Sequence, residues 1–488
     1  MAAAAFLALG LWNIEKASVE GVTADVICRH LIANTTEGRQ ALVSSLWWPP
    51  LALLLRLPFA AVLDVESGPA ASLIVSAAAA AIALWLFYRI LADCGLAWWK
   101  GLLIAAGLAV NPGFLRAATD GSFRSAAFCC ALAGFRGFLG WLIRRRLRDL
   151  ICLALCAGLM VGLCYDMALW SALLILLACV HAGLPRASKW YREAVIIIAF
   201  FPFVYAVGLW ILANWLIMGD VLRLFRPFAA IGAAMPEYDG RSLISPAHFA
   251  AGVGGLGAAV CAALSRKMPV GLAGVAVAGL LGLAMWEQRL GLLWDESAAL
   301  FSIVPLGVCA AVWIAAQLRS DRSLVRPIVF LASLVLLAAD AMIAAEFVRR
   351  ESVAAGEVWA ERNRELPRIE RNVLSRSRYA TVIVAGYDGF ALLGSRPDRI
   401  FLNAIDFTFE KYRCDYPGHD LFLLIRKPEH RSAMECVYWR YPGIWEQGSG
   451  TTVYDGDWGS WRLFEIVQAP RGRLRRGGAA DGGRDSWR

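Results

Sequence analysis

Between residues 70 and 348 the chain passes through ten apolar runs: 70–92, 101–113, 122–143, 150–165, 167–184, 194–218, 246–265, 269–286, 297–318 and 326–348. No other feature constrains the fold as strongly. A bilayer's hydrocarbon core is ~30 Å thick and holds no water, so a segment that crosses it must satisfy its own backbone, as a helix of ~20 residues does. Charge is sparse up to about residue 348 and ordinary beyond it, which predicts a membrane domain at 1–348 followed by a soluble part. Only 18% of residues are charged, against about a quarter in average soluble domains.

The formal net charge of +9 does not point to nucleic acid. Much of the Lys and Arg lies in short loops between apolar runs, where the positive-inside rule places it. Most of the twelve cysteines lie within those runs (Cys129, Cys130, Cys152, Cys156, Cys179, Cys261 and Cys309) and read as small buried hydrophobes. Cys152 and Cys156 share a helix face but have no His or acidic neighbour, so no metal site is expected there. Cys414 and Cys436 belong to the soluble part and would pair if it faces an oxidising compartment.

Charge bias also sets the expected topology. The opening run, MAAAAFLALGLW, reaches only ~18 Å as a helix, and it has neither a basic leader nor a cleavage site, so it does not read as a removable signal peptide. The run 46–62, LWWPPLALLLRLPFAAV, is the ambiguous one. An arginine at mid-span costs roughly 2.5–3.5 kcal/mol, and the run can instead lie along the interface with its tryptophans at headgroup level. If it does not cross, the basic loops (Arg89/Lys100, RRRLRD at 144–149, Arg186/Lys189/Arg192, Arg266/Lys267 and Arg319/Arg322/Arg326) fall on one side. The expectation is eleven spans with the N-terminus inside and an outer first loop at 13–69. Residues 111–121, 219–245, 287–296 and everything after 348 are then also outside.

That topology gathers charged groups at one face: Asp25, Arg29, His30 and Arg39 from the first loop, Arg116, Asp120 and Arg124 from the second, and Asp220, Arg223, Arg226, Glu237, Asp239 and Arg241 further on. Exposed loops carry charge as a matter of course, and that suffices for Glu237 and Asp239. Asp25 and Asp120 adjoin apolar helices, where a carboxylate is normally avoided. Each reads either as a helix cap or as a functional group. A carboxylate beside arginines suits an anionic, lipid-linked substrate. Arginine forks bind phosphate bidentately, and a carboxylate in hydrogen-bond reach deprotonates a hydroxyl.

The order of a first apolar run, then TADVICRHLIANTTEGR, then SLWWPPLALLLRLPF, then NPGFLRAATDGSFRSAAF, resembles the C-class (GT-C) glycosyltransferases, whose relatives include protein O-mannosyltransferases and bacterial lipid A aminoarabinose transferases. NWLIMGDVLRLF, residues 214–225, resembles a segment frequent in bacterial members. The likeness covers most of residues 1–348. It implies a mainly α, polytopic membrane protein with about 11 transmembrane helices. The implied activity is inverting transfer of a sugar from a polyprenyl-phosphate carrier to a hydroxyl acceptor at the outer face of the cell membrane. By the same resemblance Asp25 is the base and Asp120 the second acidic residue. His30, Arg29 and Arg39, with Arg223 and Arg226, are the candidates for holding the lipid phosphate. Two departures stand out: there is no Asp-X-Asp pair, and the position before PPL, often basic in the aminoarabinose branch, is Trp48. No tightly bound cofactor or metal is expected; Mg or Mn held by Asp25 and Asp120 is the alternative.

Residues 349–376 read as a charged helical connector, 377–468 as a small extracytoplasmic α/β domain with strands at YATVIVAG, RIFLNAI, LFLLIRK and WRLFEIV, and 469–488 as a disordered basic tail. The aromatic-rich VYWRYPGIW suits either core packing or glycan stacking. Two other functions compete with the glycosyltransferase: a transporter or flippase for a lipid-linked or anionic substrate, and a non-catalytic membrane scaffold. A transporter is expected to carry ionisable groups at mid-membrane, whereas most charges here sit at run ends.

Overall fold

The computed structural model describes residues 1–12, 19–32, 50–63, 70–183, 188–218, 244–264, 268–289, 298–317 and 327–346. Towards the C-terminus it describes 380–385, 401–403, 420–428, 437–438, 443–448 and 452–466, with a few single residues between. Nearly all of the first part is helix: α1 (Ala2–Trp12), α2 (Val19–Ile32), α3 (Pro50–Leu54), α4 (Leu57–Val62), α5 (Ala70–Asp93), α6 (Trp98–Ala109), α7 (Pro112–Thr119), α8 (Arg124–Arg144), α9 (Leu147–Leu163), α10 (Tyr165–Gly183), α11 (Lys189–Met218), α12 (Pro246–Leu264), α13 (Met268–Arg289), α14 (Ala298–Gln317) and α15 (Pro327–Glu346). Among the described residues seven helices are long and apolar enough to cross a membrane, or eight if the bent pair α6–α7 forms one span. The chain is therefore a multi-pass membrane protein, mainly α.

Three segments depart from the expected plan. The run 46–62 forms no single span: its described part is the two short helices α3 and α4, joined at a turn through Leu55 and Arg56. The second outer segment is not all loop. Asn111 ends one helix and starts another, its side chain accepting from the N–H groups of Gly113 (2.9 Å) and Phe114 (3.3 Å), and Pro112 is pre-set for the first helical position. The axis turns by 68° there. The opening run, as expected, makes only the 11-residue α1.

Helices packing in lipid gain nothing from hiding apolar surface, so they rely on close approach over small residues. Gly134 of α8 faces Cys156 of α9, and a Cβ on Gly158 of α9 would lie 2.7 Å from the backbone carbonyl oxygen of Pro202 in α11. That contact holds α11, 30 residues long and otherwise largely turned outward, to the bundle. Backbone cannot yield as a side chain can, so Gly158→Ala should lower stability by about 1–3 kcal/mol. Thermal unfolding of the purified variant in one defined detergent reads this out, and an unchanged Tm would refute the contact.

The C-terminal part holds a five-stranded sheet in the order β2-β1-β3-β5-β4. β1 (Ala380–Ala385) pairs in parallel with β2 (Phe401–Asn403) and β3 (Asp420–Arg426); β5 (Trp461–Ile466) is antiparallel to β3 and to β4 (Thr452–Trp458). Ile383, Leu423, Ile425, Phe464 and Ile444 of the short helix α16 (Ile444–Gln447) form its core. The four expected strands are present. β4 is additional: its TVYDGDW alternation was hidden by Gly and Asp, and a bulge at Tyr454/Gly456 accommodates them. The connector 349–376 is described only at isolated positions; the tail 469–488, Cys414 and Cys436 lie outside the described residues.

Candidate functional site

α2 meets the start of α5 and the turn between α7 and α8 at two glycines. A Cβ on Gly21 would lie 3.1 Å from the carbonyl oxygens of both Asp120 and Gly121. Gly121 has φ +76°, a conformation glycine adopts without strain, and a Cβ there would lie 3.0 Å from the Ser72 Cβ. The first and second acidic segments of the sequence therefore touch through backbone.

Asp25 lies in the middle of α2, one turn beyond Gly21, and is only 3% exposed. α2 begins at Val19, so Asp25 is no cap for its own helix. Its carboxylate faces the first turn of α5 instead. The Ser72 hydroxyl lies 2.6 Å from Oδ1 and also 2.9 Å from the Gly21 carbonyl, while the Ser72 N–H donates to Oδ2 at 3.3 Å. Burial pushes the Asp25 pKa above the ordinary carboxylate range. The Ser72 hydroxyl, the charge of Arg56, the Ser72 N–H and Arg29 oppose that rise without cancelling it. Cys28, one turn on, donates to the Leu53 carbonyl at 3.4 Å. Its thiol is pushed up to about 12 by burial, which keeps it from serving as a nucleophile at neutral pH.

Arg56 is the residue that sequence reasoning misjudged. It had been weighed only as a penalty against crossing the bilayer. In the structure it is 1% exposed, and its Nη2 donates to the Gly121 carbonyl at 2.7 Å. Its Nε and Nη1 have no hydrogen-bond partner among the described residues. A buried guanidinium with two idle donors beside a buried carboxylate is an arrangement that folding alone disfavours. The signal was present: an arginine inside LALLLRLPF tolerates its apolar neighbours only where something polar awaits it.

Asp120 ends α7 and is 2% exposed. Its Oδ1 accepts from the Ser122 N–H (2.8 Å) and its Oδ2 from Arg124 Nη2 (2.7 Å), with Arg116 Nε 3.9 Å away. The N-cap of α8 is Phe123, so Asp120 acts in the turn and in this buried ion pair. Arg29 is half-buried on α2, one turn beyond Asp25, and His30 follows it on the same helix with its side chain outside the described residues. Arg39, Arg223 and Arg226 also lie outside them. Among the described residues no group of three or more His, Cys, Asp or Glu is placed to hold a metal ion. The structure thus brings Asp25, Arg29, Asp120, Arg124, Ser72 and Arg56 to one junction of α2, α5 and the α7–α8 turn.

Fold and site together define a multi-pass helical membrane protein with a buried acidic and basic centre at one end of its helices. No family model matches the chain, and no curated protein does. Among solved structures it is similar to ArnT from Cupriavidus metallidurans in the apo state, at 13% identity and a TM-score of 0.43, over 94% of this chain and 96% of that one. It is also similar to ArnT from the same organism bound to undecaprenyl phosphate, at 12% identity and a TM-score of 0.43, over 96% and 98%. At this level of similarity the chemistry has to be read from the residues themselves.

Proposed function

We propose that the protein is a membrane glycosyltransferase that moves a sugar from a polyprenyl-phosphate carrier to a hydroxyl acceptor. The observation that carries this reading is the pairing of Asp25, a buried carboxylate, with Arg56, a buried guanidinium that keeps two donors unused. In the proposed reaction the Asp25 carboxylate takes the proton of the acceptor hydroxyl as its oxygen attacks the anomeric carbon. The bond from that carbon to the phosphate oxygen breaks, and the lipid phosphate leaves with the electron pair. Arg56, aided by Arg29, stabilises the charge arriving on the phosphate, the kind of preorganised electrostatics that dominates many transfer reactions. Asp120 holds Arg124 and Arg116 and fixes the turn whose Gly121 carbonyl anchors Arg56. Attack opposite the leaving phosphate inverts the anomeric centre. The reaction is placed at the outer face of the membrane by the charge bias of the loops. It needs no tightly bound metal, because arginine can meet the leaving group's charge.

The test is transfer by the purified full-length protein from a panel of polyprenyl-phosphate sugars, with and without a chelator. The expected result is release of free lipid phosphate with one donor, unaffected by chelation. Undecaprenyl phosphate, the ligand of one of the similar structures, serves as the product probe. A protein that neither binds this lipid nor turns over any donor would return the choice to a transporter or a scaffold.

A further inference from the structure

Asp340 lies near the outer end of α15, a helix otherwise largely turned away from the bundle. A carboxylate in a membrane helix is costly and is kept for a reason. Here its partner is Asn111, the residue that starts α7: Asn111 Nδ2 donates to Asp340 Oδ2 at 2.9 Å. Asn111 already uses its Oδ1 to cap α7. Ser, Thr, Asp and Asn all cap a helix, but of these only Asn, having capped through its oxygen, still holds two amide N–H donors.

On its other side Asp340 Oδ1 faces His248 Nε2 at 3.8 Å. His248 in turn closes the start of α12. Its Nδ1 accepts from the Ser245 N–H at 3.1 Å while its own N–H donates to Ser245 Oγ at 3.3 Å. This is a capping box with histidine in the acidic position, and it leaves the Nε2 proton directed at Asp340. A separate contact brings the same two helices together, since a Cβ on Gly113 of α7 would lie 3.3 Å from the Ala344 Cβ of α15.

α7 is only eight residues long, ~12 Å, and is packed by Phe114, Ala117 and Ala118. Whatever holds Asn111 therefore holds Asp120 and Gly121 at the other end. We propose that Asp340 is a positioning residue for the transfer site: by gripping Asn111 it latches α15 to α7 and so fixes the turn that anchors Arg56. This deepens the transferase reading and rests on it for its kinetic consequences.

The experiment uses the full-length protein in nanodiscs and has two arms. In the first, Asn111→Ser keeps the cap but loses the latch donor, and Asp340→Ala loses the acceptor. Each should lower the transfer rate about 10–100-fold, the scale of a displacement on the order of 1 Å at a site. Helix content and Tm should hold within a few degrees, and Asp340→Asn, whose amide oxygen still accepts, should recover most of the rate. The double variant should lose no more than either single one, as partners in one interaction do. Wild-type rates in both single variants, or losses that add, would overturn the latch.

The second arm needs no activity. Gly113→Cys with Ala344→Cys should form a disulfide on oxidation, identified by peptide mass spectrometry, and Asn111→Ser should lower its yield several-fold. A yield that Asn111→Ser leaves unchanged overturns the latch even if wild-type protein transfers no sugar. The absence of transfer by wild-type protein overturns only the transferase reading.

Discussion

Asp25→Asn should lower the transfer rate by ~10²–10⁴-fold at saturating donor and acceptor, the range that general-base catalysis contributes. The substitution is nearly isosteric. The Asn oxygen can still accept from the Ser72 hydroxyl, which in the wild type lies 2.6 Å from Oδ1, so the start of α5 keeps a partner. What is lost is the basic electron pair. Because burial raises the Asp25 pKa, the carboxylate is populated only above that raised value, and activity should fall as pH drops through it. Stability runs the other way: between the unfolded and folded pKa values the folded state binds the extra proton, so stability decreases as pH rises across that window. Both dependences should vanish in Asp25→Asn. A variant that transfers within a few-fold of wild type, with its pH profile intact, would remove Asp25 from the chemistry and leave Ser72 as the reason for its burial.

Arg56→Met should separate binding from folding. Leaving Nε and Nη1 buried without partners disfavours the ligand-free fold, so an apolar side chain of similar length should leave Tm unchanged or raise it, despite losing the bond to the Gly121 carbonyl. Affinity for undecaprenyl phosphate should meanwhile fall about 100-fold or more, since hydrogen bonds to charged groups are each worth about 1.5–3 kcal/mol. Arg56→Lys should restore only part of it, because an ammonium lacks the planar fork. Calorimetric titration of the lipid phosphate, alongside thermal unfolding without it, measures both. A strongly destabilised Arg56→Met that binds lipid normally would make Arg56 a structural tie to Gly121 and nothing more.

The apolar runs were legible because a spanning helix has to be apolar along most of its length, and each run from 70 onward has a helix at its centre. The meeting of the two acidic segments was legible only as a shared face of the membrane. Their contact depends on Gly21 and Gly121, whose role is to be small, and a single glycine in a loop carries no mark of what approaches it. Arg56 was visible but read in the wrong frame: cost per residue at mid-bilayer says nothing about a residue in a short turn that never crosses. Asp340 passed unnoticed because one carboxylate in LLAADAMIAAEF looks like a run end, and its partner Asn111 lies 229 residues away in sequence. β4 was missed because Gly456 and its flanking aspartates read as turn residues, while its pairing comes from β5.

The contact between Gly158 and Pro202 has a consequence for the choice of membrane. The apolar part of α11, residues 194–218, is ~37 Å long against a hydrocarbon core of ~30 Å, so the helix must lean by roughly 35° or thicken the lipid around it. Its lean is handed to α9 through the backbone of Pro202. Four residues further along α9, Gly162 is pressed against Leu51, at the start of the segment that ends in Arg56. Bilayer thickness thus acts on this protein as a mechanical load, borne by α11 and delivered within a few residues of the guanidinium.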